Sequence, residues 1–482
     1  MKSPLTHWPQ RALGMAMVLA QGLAGAAPGK LPAAPAAPAA AVAPAPVDAE
    51  TLPVPGSCGE GDKLPPAALA QLRALEPGTA DPRQQLQELA QQALQRSQAL
   101  GAANLLAQAA RADWEEAKAA RLPQLNLGGS LVHAGSKTQD YPLQSGPKAS
   151  VNLSVSAPIF DAGRNVQLAN WRAQLAEGAR LGLLSTEQQL VLQTVSLSMD
   201  RGRYQLQAKV YVQYVGKMRC LVEALGTIVK ADRGRASELV QAQKTQQQAE
   251  LALLQTLSTL RQVEGRLRRL VGDDLPPGAS YGALLTQVPE LSEMQRDAEQ
   301  APDIVALDAQ ARAQSSYAAS VAAAYKPQVS LLLGSTASAI HQAGDTRRSG
   351  EWVAGVSLNM PLYNAGSDHS ISAARLRSEA ARLQRDEQLE VRRYRMLDMH
   401  EAATSSFERA RLIVETLRNS ERVRASTLQQ WAQLGRRSLF DVMGAEADYY
   451  SLRVAQVNAL VDGQQSVALL WSLGRGVLTP LQ

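Results

Sequence analysis

The chain has 482 residues, a formal net charge of +5 and an aromatic content of 4%. So small a net charge over this length is typical of a solvated helical surface rather than of a nucleic-acid-binding protein, and the scarcity of aromatic side chains argues against stacking surfaces for single strands. The five histidines are scattered, and the sequence contains neither a His-Glu-x-x-His zinc pair nor a Gly-x-x-x-x-Gly-Lys phosphate loop. We therefore expect a protein that is not an enzyme, with no catalytic residues, cofactor or metal.

The amino-terminal region predicts export from the cytoplasm. Arg11 precedes the mostly apolar run 12–23, and Ala24-Gly25-Ala26 is a small-x-small cleavage site, so residues 1–26 are interpreted as a secretory signal peptide. Residues 27–80 begin with a long tract of Ala, Pro and Val that cannot bury a core, and we expect an extended leader there. The sequence after residue 26 contains no window of 18 consecutive apolar residues, so it predicts no transmembrane helix.

The chain contains two cysteines, Cys58 and Cys220. They are compatible with one disulfide in an oxidising compartment, but a single bridge between a leader and a helix is not a disulfide scaffold. Cys58 follows Pro-Gly-Ser rather than an apolar lipobox, which argues against a lipid anchor at this position. The sequence alone leaves the pairing open.

Residues 81–272 predict a first structural repeat. Apolar residues spaced by three and four indicate a helix over 81–121, which a proline ends. A pair of strands follows at 122–163. The next hundred residues contain no proline, so we expect one very long helix, a break at Asp232-Arg233-Gly234 and a returning helix.

Residues 303–475 repeat this order: a helix, a strand pair at 326–366, a long proline-free helix, a break at Gly435 and a returning helix. The same landmarks recur in the same sequence, so the chain contains an internal twofold repeat. The rest of the chain comprises residues 273–302, interpreted as a linker or equatorial region, and residues 476–482, interpreted as a tail.

Both strand pairs alternate apolar and small polar residues with a period of two, as Val151, Leu153 and Val155 alternate with Asn152 and Ser154. This pattern is most common in half-buried sheets of soluble proteins. Each segment, however, has about ten residues, the length that crosses a bilayer as a tilted strand. The polar face is interpreted as small and uncharged, as expected of a pore lining. We therefore predict four transmembrane strands per chain.

The strand pairs also predict where the chain meets the two membrane surfaces. Residues 138–148 and 340–350 are expected to form the outward loops. Phe160, Trp352 and Tyr363 are expected at strand ends, where aromatic side chains anchor a barrel at the lipid interface. Ordinary packing at a strand end explains these three aromatics equally well.

Four strands cannot close a barrel, and an open sheet edge in lipid leaves backbone groups unpaired at a cost of several kcal/mol each. Eight strands from two chains would leave an interior that side chains fill, whereas twelve strands from three chains leave a channel. A helix of about 100 Å has no core of its own and must pack against copies of itself. We therefore predict a mixed α and β fold, with long antiparallel helices forming a trimeric α-barrel and the strands sharing a twelve-stranded β-barrel.

The order of elements resembles the TolC-like outer-membrane efflux family. The resemblance covers about residues 84–475 and includes strand starts (Leu-Pro-Gln and Lys-Pro-Gln), strand exits (Ala-Pro-Ile-Phe-Asp-Ala-Gly and Met-Pro-Leu-Tyr-Asn-Ala-Gly) and Gly-Arg-x-Ser turns. It implies a homotrimeric channel in the outer membrane that projects across the periplasm. An inner-membrane transporter and a periplasmic adaptor are implied partners, and a small mixed region is implied at the waist.

The resemblance also implies roles for individual residues. The two helix-to-helix turns correspond to periplasmic tips that contact the adaptor, although a tight turn alone explains their glycines. In well-known members, acidic residues near the second tip ring a constriction. Here Ser426, Gln429 and Gln430 occupy that region and Arg422 keeps the basic partner position, so the acidic ring is absent. The candidate adaptor contacts are Gly234, Arg235, Ser237, Gly435, Arg436 and Ser438.

The resemblance therefore implies a passive export channel in the outer membrane, surrounded by lipid and with no nucleic-acid partner. Within that function we favour type I secretion of a haemolysin-like or cyclolysin-like toxin, which implies an ABC-type transporter. The alternative cargo is drugs or other small molecules. A second class of function, a periplasmic coiled-coil adaptor or scaffold, does not explain the doubled strands with one apolar face.

Overall fold

The computed structural model describes residues 81–136, 144–277, 284–342, 345–434 and 436–481. The predicted signal peptide, the predicted leader with Cys58, and Gly435 lie outside these residues. Cys220 is buried in a long helix and is disulfide-bonded. None of the helices in the part of the chain that the structure describes combines the length and the apolar character of a transmembrane helix.

The described part of the first half contains four helices and two strands. A short 3-10 turn, Arg233–Arg235, joins the two longest of these helices. In chain order the elements are α1 (Pro82–Arg96), α2 (Gln98–Ala119), β1 (Gln124–Ser136), β2 (Gln144–Phe160), α3 (Arg164–Ala231) and α4 (Ala236–Val271).

The second half repeats the order after a short helix. A terminal 3-10 turn, Thr479–Leu481, follows its last helix. The elements are α5 (Leu291–Ala298), α6 (Pro302–Ala323), β3 (Gln328–Gln342), β4 (Asp345–Asn359), α7 (Ser367–Leu434) and α8 (Leu439–Leu473).

The helix predicted over 81–121 is wrong as a continuous element. It is broken at Ser97, whose backbone is extended and whose hydroxyl accepts a hydrogen bond from the amide of Leu100 at 3.1 Å. A serine in this position caps a new helix, because its side chain satisfies an amide that has no partner within the helix. The apolar spacing continues through the break, so periodicity alone does not reveal it.

The two proline-free runs form the longest elements, since α3 and α7 have 68 residues each. At 1.5 Å per residue each helix is about 100 Å long. In each half the long helix is followed by an antiparallel partner, α4 or α8, of about half that length. Such a hairpin buries one stripe of each helix and leaves the other faces open.

The strand-to-helix corner after β2 explains one of the repeated motifs. Ala162 and Gly163 have positive φ angles of 51° and 84°, a left-handed bend that favours glycine. The carboxylate of Asp161 accepts hydrogen bonds from the amides of Gly163 and Asn165 and so closes the first turn of α3. In the second repeat the side chain of Asn364 accepts from the amide of Gly366 in the same way.

The four strands form one antiparallel sheet in the order β1-β2-β3-β4. The pairs β1–β2 and β3–β4 are each formed within one repeat, whereas the pair β2–β3 joins the two repeats. The register is continuous, except for one irregularity in β2 at Pro158/Phe160. β1 and β4 lie at the two edges of the sheet.

The main hydrophobic core lies around the middle of the long helices. There α1, the chain after α8 and the segment around Leu284 pack against Val195 and Met199 of α3. Beside it, Met294 of α5 packs against Met396 of α7 and Leu470 of α8. Short elements thus surround the long helices at mid-length.

We expect Gly463→Ala and Gly444→Ala, both in α8, to have opposite effects on stability. A methyl group at Gly463 would lie 2.7–2.9 Å from ring atoms of Phe407, whereas one at Gly444 would meet nothing within 4 Å. Overpacking should cost the first variant about 1–3 kcal/mol. The second should gain roughly 0.5–1 kcal/mol from the higher helix propensity of alanine. Thermal unfolding in detergent measures both, and a stable Gly463→Ala protein would contradict this packing.

Candidate functional site: the sheet faces and the helical tips

One face of the sheet is apolar and exposed. Leu127, Leu153 and Trp352 lie on it in one row, with Ser335 between the last two. These side chains are not covered within the chain: Leu127 is 74% exposed and Trp352 82%. A monomeric soluble protein rarely leaves so large an apolar surface open, and such surfaces mark contacts with lipid or with other proteins.

The opposite face is polar, and its side chains interact across the strands. Ser130, Ser150, Ser338 and Ser349 form one row over all four strands. The hydroxyl oxygens of Ser130 and Ser150 are 2.7 Å apart, and those of Ser338 and Ser349 are 2.9 Å apart. These hydrogen bonds are possible only because the four side chains point to the same side of the sheet.

Two expectations about this region are wrong. The strands extend into the segments predicted as loops. Residues 144–148 belong to β2, residues 340–342 to β3 and residues 345–350 to β4. Residues 137–143 and 343–344 lie outside the described residues. The polar face is also not uncharged, because Lys148, Arg347 and Glu351 lie on it. The segments between the two alternating runs of each pair were expected to be loops, but backbone pairing continues into them.

The three interface aromatics occupy different kinds of position. Phe160 is the last residue of β2, as predicted, and is 55% exposed. Trp352 lies in the middle of β4 rather than at its end, because β4 begins seven residues earlier at Asp345. Tyr363 follows β4 in the segment before α7 and is 89% exposed. Only Phe160 and Trp352 are therefore part of the sheet.

The two helix-to-helix turns lie at the same end of the protein. A single apolar cluster joins the end of α3, the start of α4, the end of α7 and the start of α8. Its buried members are Met218, Leu221, Leu225, Ala242, Trp431, Leu439, Val442 and Met443. The cluster holds the described parts of both turns side by side, so Gly234, Arg235 and Ser237 lie at the same end as Arg436 and Ser438.

The first turn is closed by local hydrogen bonds. The carboxylate of Asp232 accepts from the amide of Gly234 at 2.9 Å, and Arg235 forms an ion pair with Glu238 at 3.3 Å. A Cβ at position 234 would lie 3.1 Å from the same Asp232 oxygen. Glycine is favoured here by this close contact, since Gly234 is not among the residues with positive φ. Ser237 is exposed in the first turn of α4.

The second turn uses different contacts. The amide of Arg436 donates to the carbonyl oxygen of Gln430 at the end of α7. Ser438 and Asp441 form a reciprocal capping box at the start of α8, at 3.2 and 3.1 Å. Although the two turns correspond in sequence, they are therefore stabilised by different side chains.

Three of the four constriction residues share one exposed stripe of α7. Arg422, Ser426 and Gln429 are spaced by four and three residues, which places them on one helical face. Gln430 lies beside them and donates to the hydroxyl of Ser426 at 3.3 Å, while its own oxygen accepts from Arg437. The opposite side of the helix carries Thr427 and Trp431, which are buried. The stripe thus points away from the core of its own chain.

Sequence reasoning missed a buried charge cluster close to the tips. Glu446 of α8 is fully buried, and its two carboxylate oxygens lie 3.5 Å from the Lys217 ammonium of α3 and 3.4 Å from the Arg424 guanidinium of α7. The cluster therefore links three helices. The signal was present, because Val442, Glu446 and Tyr450 follow one another at helical spacing on a buried stripe where a carboxylate is unexpected.

Burial dominates the electrostatics of this cluster. It raises the pKa of Glu446, and the charges of Lys217 and Arg424 only partly oppose that rise. Burial and the nearby Glu446 charge also raise the pKa of Tyr214 to about 12. The guanidinium of Arg424 stacks at 4.2 Å over the ring of Tyr449. On α7, Arg424 therefore contacts the buried cluster, whereas Arg422 is exposed.

We expect Glu446→Ala to destabilise the protein by about 3–5 kcal/mol, because it removes the carboxylate that Lys217 and Arg424 both contact in a buried site. Glu115→Ala provides the matched control, since Glu115 pairs with Lys118 at 2.8 Å on an exposed surface. Such a surface pair contributes at most about 1 kcal/mol. Thermal unfolding of the two variants in detergent tests the difference. Equal effects would show that the buried cluster does not hold the three helices together.

Solved structures of bacterial membrane proteins share this fold. CusC superposes with a TM-score of 0.72 and 18% identity, over 81% of this chain and 92% of CusC. A membrane protein from Pseudomonas aeruginosa gives 0.72 and 19%, over 81% and 93%. The outer membrane protein VceC from Vibrio cholerae gives 0.69 and 18%, over 81% and 96%. At these identities the likeness shows the fold alone. No curated protein sequence is significantly similar to the chain.

The sequence profile of the family described as "Outer membrane efflux protein" matches the chain twice, over residues 89–273 and 294–474. The two matches fall on the two halves that repeat each other in sequence and in structure. Together they cover more than half of the chain, and they include both strand pairs and both long hairpins. The chain therefore belongs to the outer membrane efflux protein family, and it is a non-enzymatic channel protein of the outer membrane that reaches into the periplasm.

Proposed function

We propose that three copies of the chain form a channel-tunnel whose twelve strands close one barrel in the outer membrane. Channels of this family are homotrimers that work with an inner-membrane transporter and a periplasmic adaptor. The observation that carries the proposal is the sheet, which has one apolar exposed face and two edge strands, β1 and β4. In a closed ring, β4 of one copy pairs with β1 of the next, and the apolar face meets lipid.

The helices support the same assembly. In the single chain, apolar side chains remain exposed along α2, α4 and α7, although these helices face water in the periplasm. Neighbouring copies would cover them and complete a helical barrel. The exposed apolar side chains include Leu105 and Leu106 of α2, Val240, Leu251 and Leu254 of α4, and Leu376, Leu383, Tyr394 and Leu412 of α7.

We assign binding of the periplasmic adaptor to the surface of the two helical tips. Gly234, Arg235 and Ser237 in the first turn and Arg436 and Ser438 in the second lie at one end, held together by the shared apolar cluster. This end is opposite to the sheet along the long helices, so it reaches furthest into the periplasm. Gly435 belongs to the same proposal from its place in the sequence.

The exposed stripe of Arg422, Ser426 and Gln429, with Gln430, is the proposed constriction. Its side chains are polar, and none of them is acidic. A ring of three such stripes would narrow the channel by the size and hydrogen bonding of its amides rather than by repelling anions. This is a steric gate that does not depend on the ionisation of a carboxylate.

Small molecules are the cargo that we favour, because the family is named for efflux. Secretion of a protein toxin through an ABC-type transporter stays a prediction from the sequence. Deleting the gene distinguishes the two cargoes. If the channel exports small molecules, the cells should become more susceptible to toxic compounds. If it secretes a toxin, a protein should disappear from the medium. A soluble adaptor or scaffold does not account for the apolar face of the sheet.

The first test is the conductance of the purified protein in planar bilayers, together with its mass in detergent. We expect discrete pores from particles with the mass of three chains, because only three sheets supply a barrel with a channel. A protein that is monomeric and does not conduct would overturn the channel-tunnel.

We expect Gln429→Ala to increase the single-channel conductance, since it removes three amides from the narrowest ring. Gln108→Ala is the matched control: it removes the same side chain from an exposed position on α2, where it donates to Asn104. The two variants are compared in the same bilayer recording. If Gln429→Ala conducts like Gln108→Ala, the constriction lies elsewhere.

A further inference from the structure

Two cations lie in one row on the polar face of the sheet. Lys148 of β2 is paired with Ile340 of β3, which is paired with Arg347 of β4. Two strand spacings separate the cations, so their Cα atoms are about 10 Å apart. Because both residues belong to regular strands, the alternation of the strand fixes the side to which their side chains point.

The surroundings of this row are polar and carry some opposite charge. The next row towards the helices contains the four serines, and the row after it contains Asn152, Thr336 and Glu351. Towards the end of the sheet, Asp345 lies on the same face, where its carboxylate accepts from the amide of Thr346 at 2.9 Å. Within the described strands, two positive charges per chain thus share one row on this face, with one negative charge per chain on each side.

Arg348 is the contrasting residue. It follows Arg347 directly but lies on the apolar face, in the row of Leu131, Ala149 and Ala339. The two arginines therefore have the same charge and nearly the same height on the sheet, and they differ in the face that they occupy. The protein itself supplies a matched pair for an experiment.

We propose that Lys148 and Arg347 form a cationic collar inside the outer end of the barrel, which favours anionic solutes such as carboxylates and phosphate esters. This inference rests on the proposed trimer, in which three copies place six cations in one zone of the lumen. Because the strands are tilted by about 40°, Lys148 and Arg347 of one copy differ in height by roughly 6 Å. Twelve strands tilted by about 40° and spaced about 4.8 Å apart give a ring roughly 24 Å across between backbones. The serine row beside the collar adds hydroxyl groups that can donate hydrogen bonds to an anion.

The size of the collar determines its effect. Lysine and arginine side chains extend several ångströms into the lumen, so a solute on the axis lies within about one Debye length of all six cations at 0.1 M salt. Under that partial screening, we estimate that the collar raises the local anion concentration about threefold and lowers that of cations by about the same factor. The ratio of chloride to potassium permeability should therefore change about tenfold when the collar is removed.

The test is the reversal potential of purified channels in planar bilayers under a potassium chloride gradient. The variants are Lys148→Gln/Arg347→Gln, the control Arg348→Gln and the opposite-sign variant Glu351→Gln. We expect the double variant to lose chloride preference about tenfold relative to wild type. Arg348→Gln should match wild type, because its charge lies on the lipid-facing side, and Glu351→Gln should shift towards chloride.

A second measurement uses block by tripolyphosphate as a probe of the collar. The tripolyphosphate is added on the side of the bilayer that the outer end of the barrel faces. Wild type and Arg348→Gln should be blocked at concentrations at least several-fold lower than the double variant. Pores whose selectivity and block are unchanged in the double variant would overturn the collar but leave the channel intact. Wild-type protein that forms no pores would overturn the proposed function instead, so the two failures are distinguishable.

Discussion

The unpaired edges of the sheet are the constraint on which the rest of the architecture depends. In lipid, a backbone amide or carbonyl without a partner costs several kcal/mol, and water is not available to replace the missing bond. The sheet has β1 at one edge and β4 at the other, and its two middle strands come from different repeats. In the proposed trimer, the edges that pair between copies are therefore β1 and β4, which is how identical copies would join into a ring.

The two ends of the protein are held together by different forces. At the sheet end, hydrogen bonds between strands and serine pairs across them fix the arrangement, while the apolar side chains face outward. At the tip end, an apolar cluster and the buried Lys217–Glu446–Arg424 contact pack the helices against one another. The sheet end is suited to a lipid surrounding. The tip end is organised like the interior of a soluble helical protein.

Much of this fold could be predicted from the sequence, because its signals are strong and repeated. Absence of proline over long runs indicated α3 and α7, and alternation indicated four strands. The failures have local causes. Ser97 breaks a helix without disturbing the apolar spacing, and β2 and β4 continue into the segments that were expected to form loops. The sequence carried a signal for Glu446, a carboxylate on an otherwise apolar stripe of α8, but not for its contact with Lys217, which lies on a distant helix and reaches Glu446 only through tertiary packing.

The pairing of β2 with β3 has a consequence for how the chain folds. In the sequence, β2 precedes the first helical hairpin and β3 follows it, so contact between the two strands requires a long loop to close. Closing such a loop is entropically costly and slow, whereas α3 and α4 can pair through nearby residues. The first hairpin is therefore expected to form early and to shorten the effective loop. The sheet is then expected to assemble last, after both repeats have been exported.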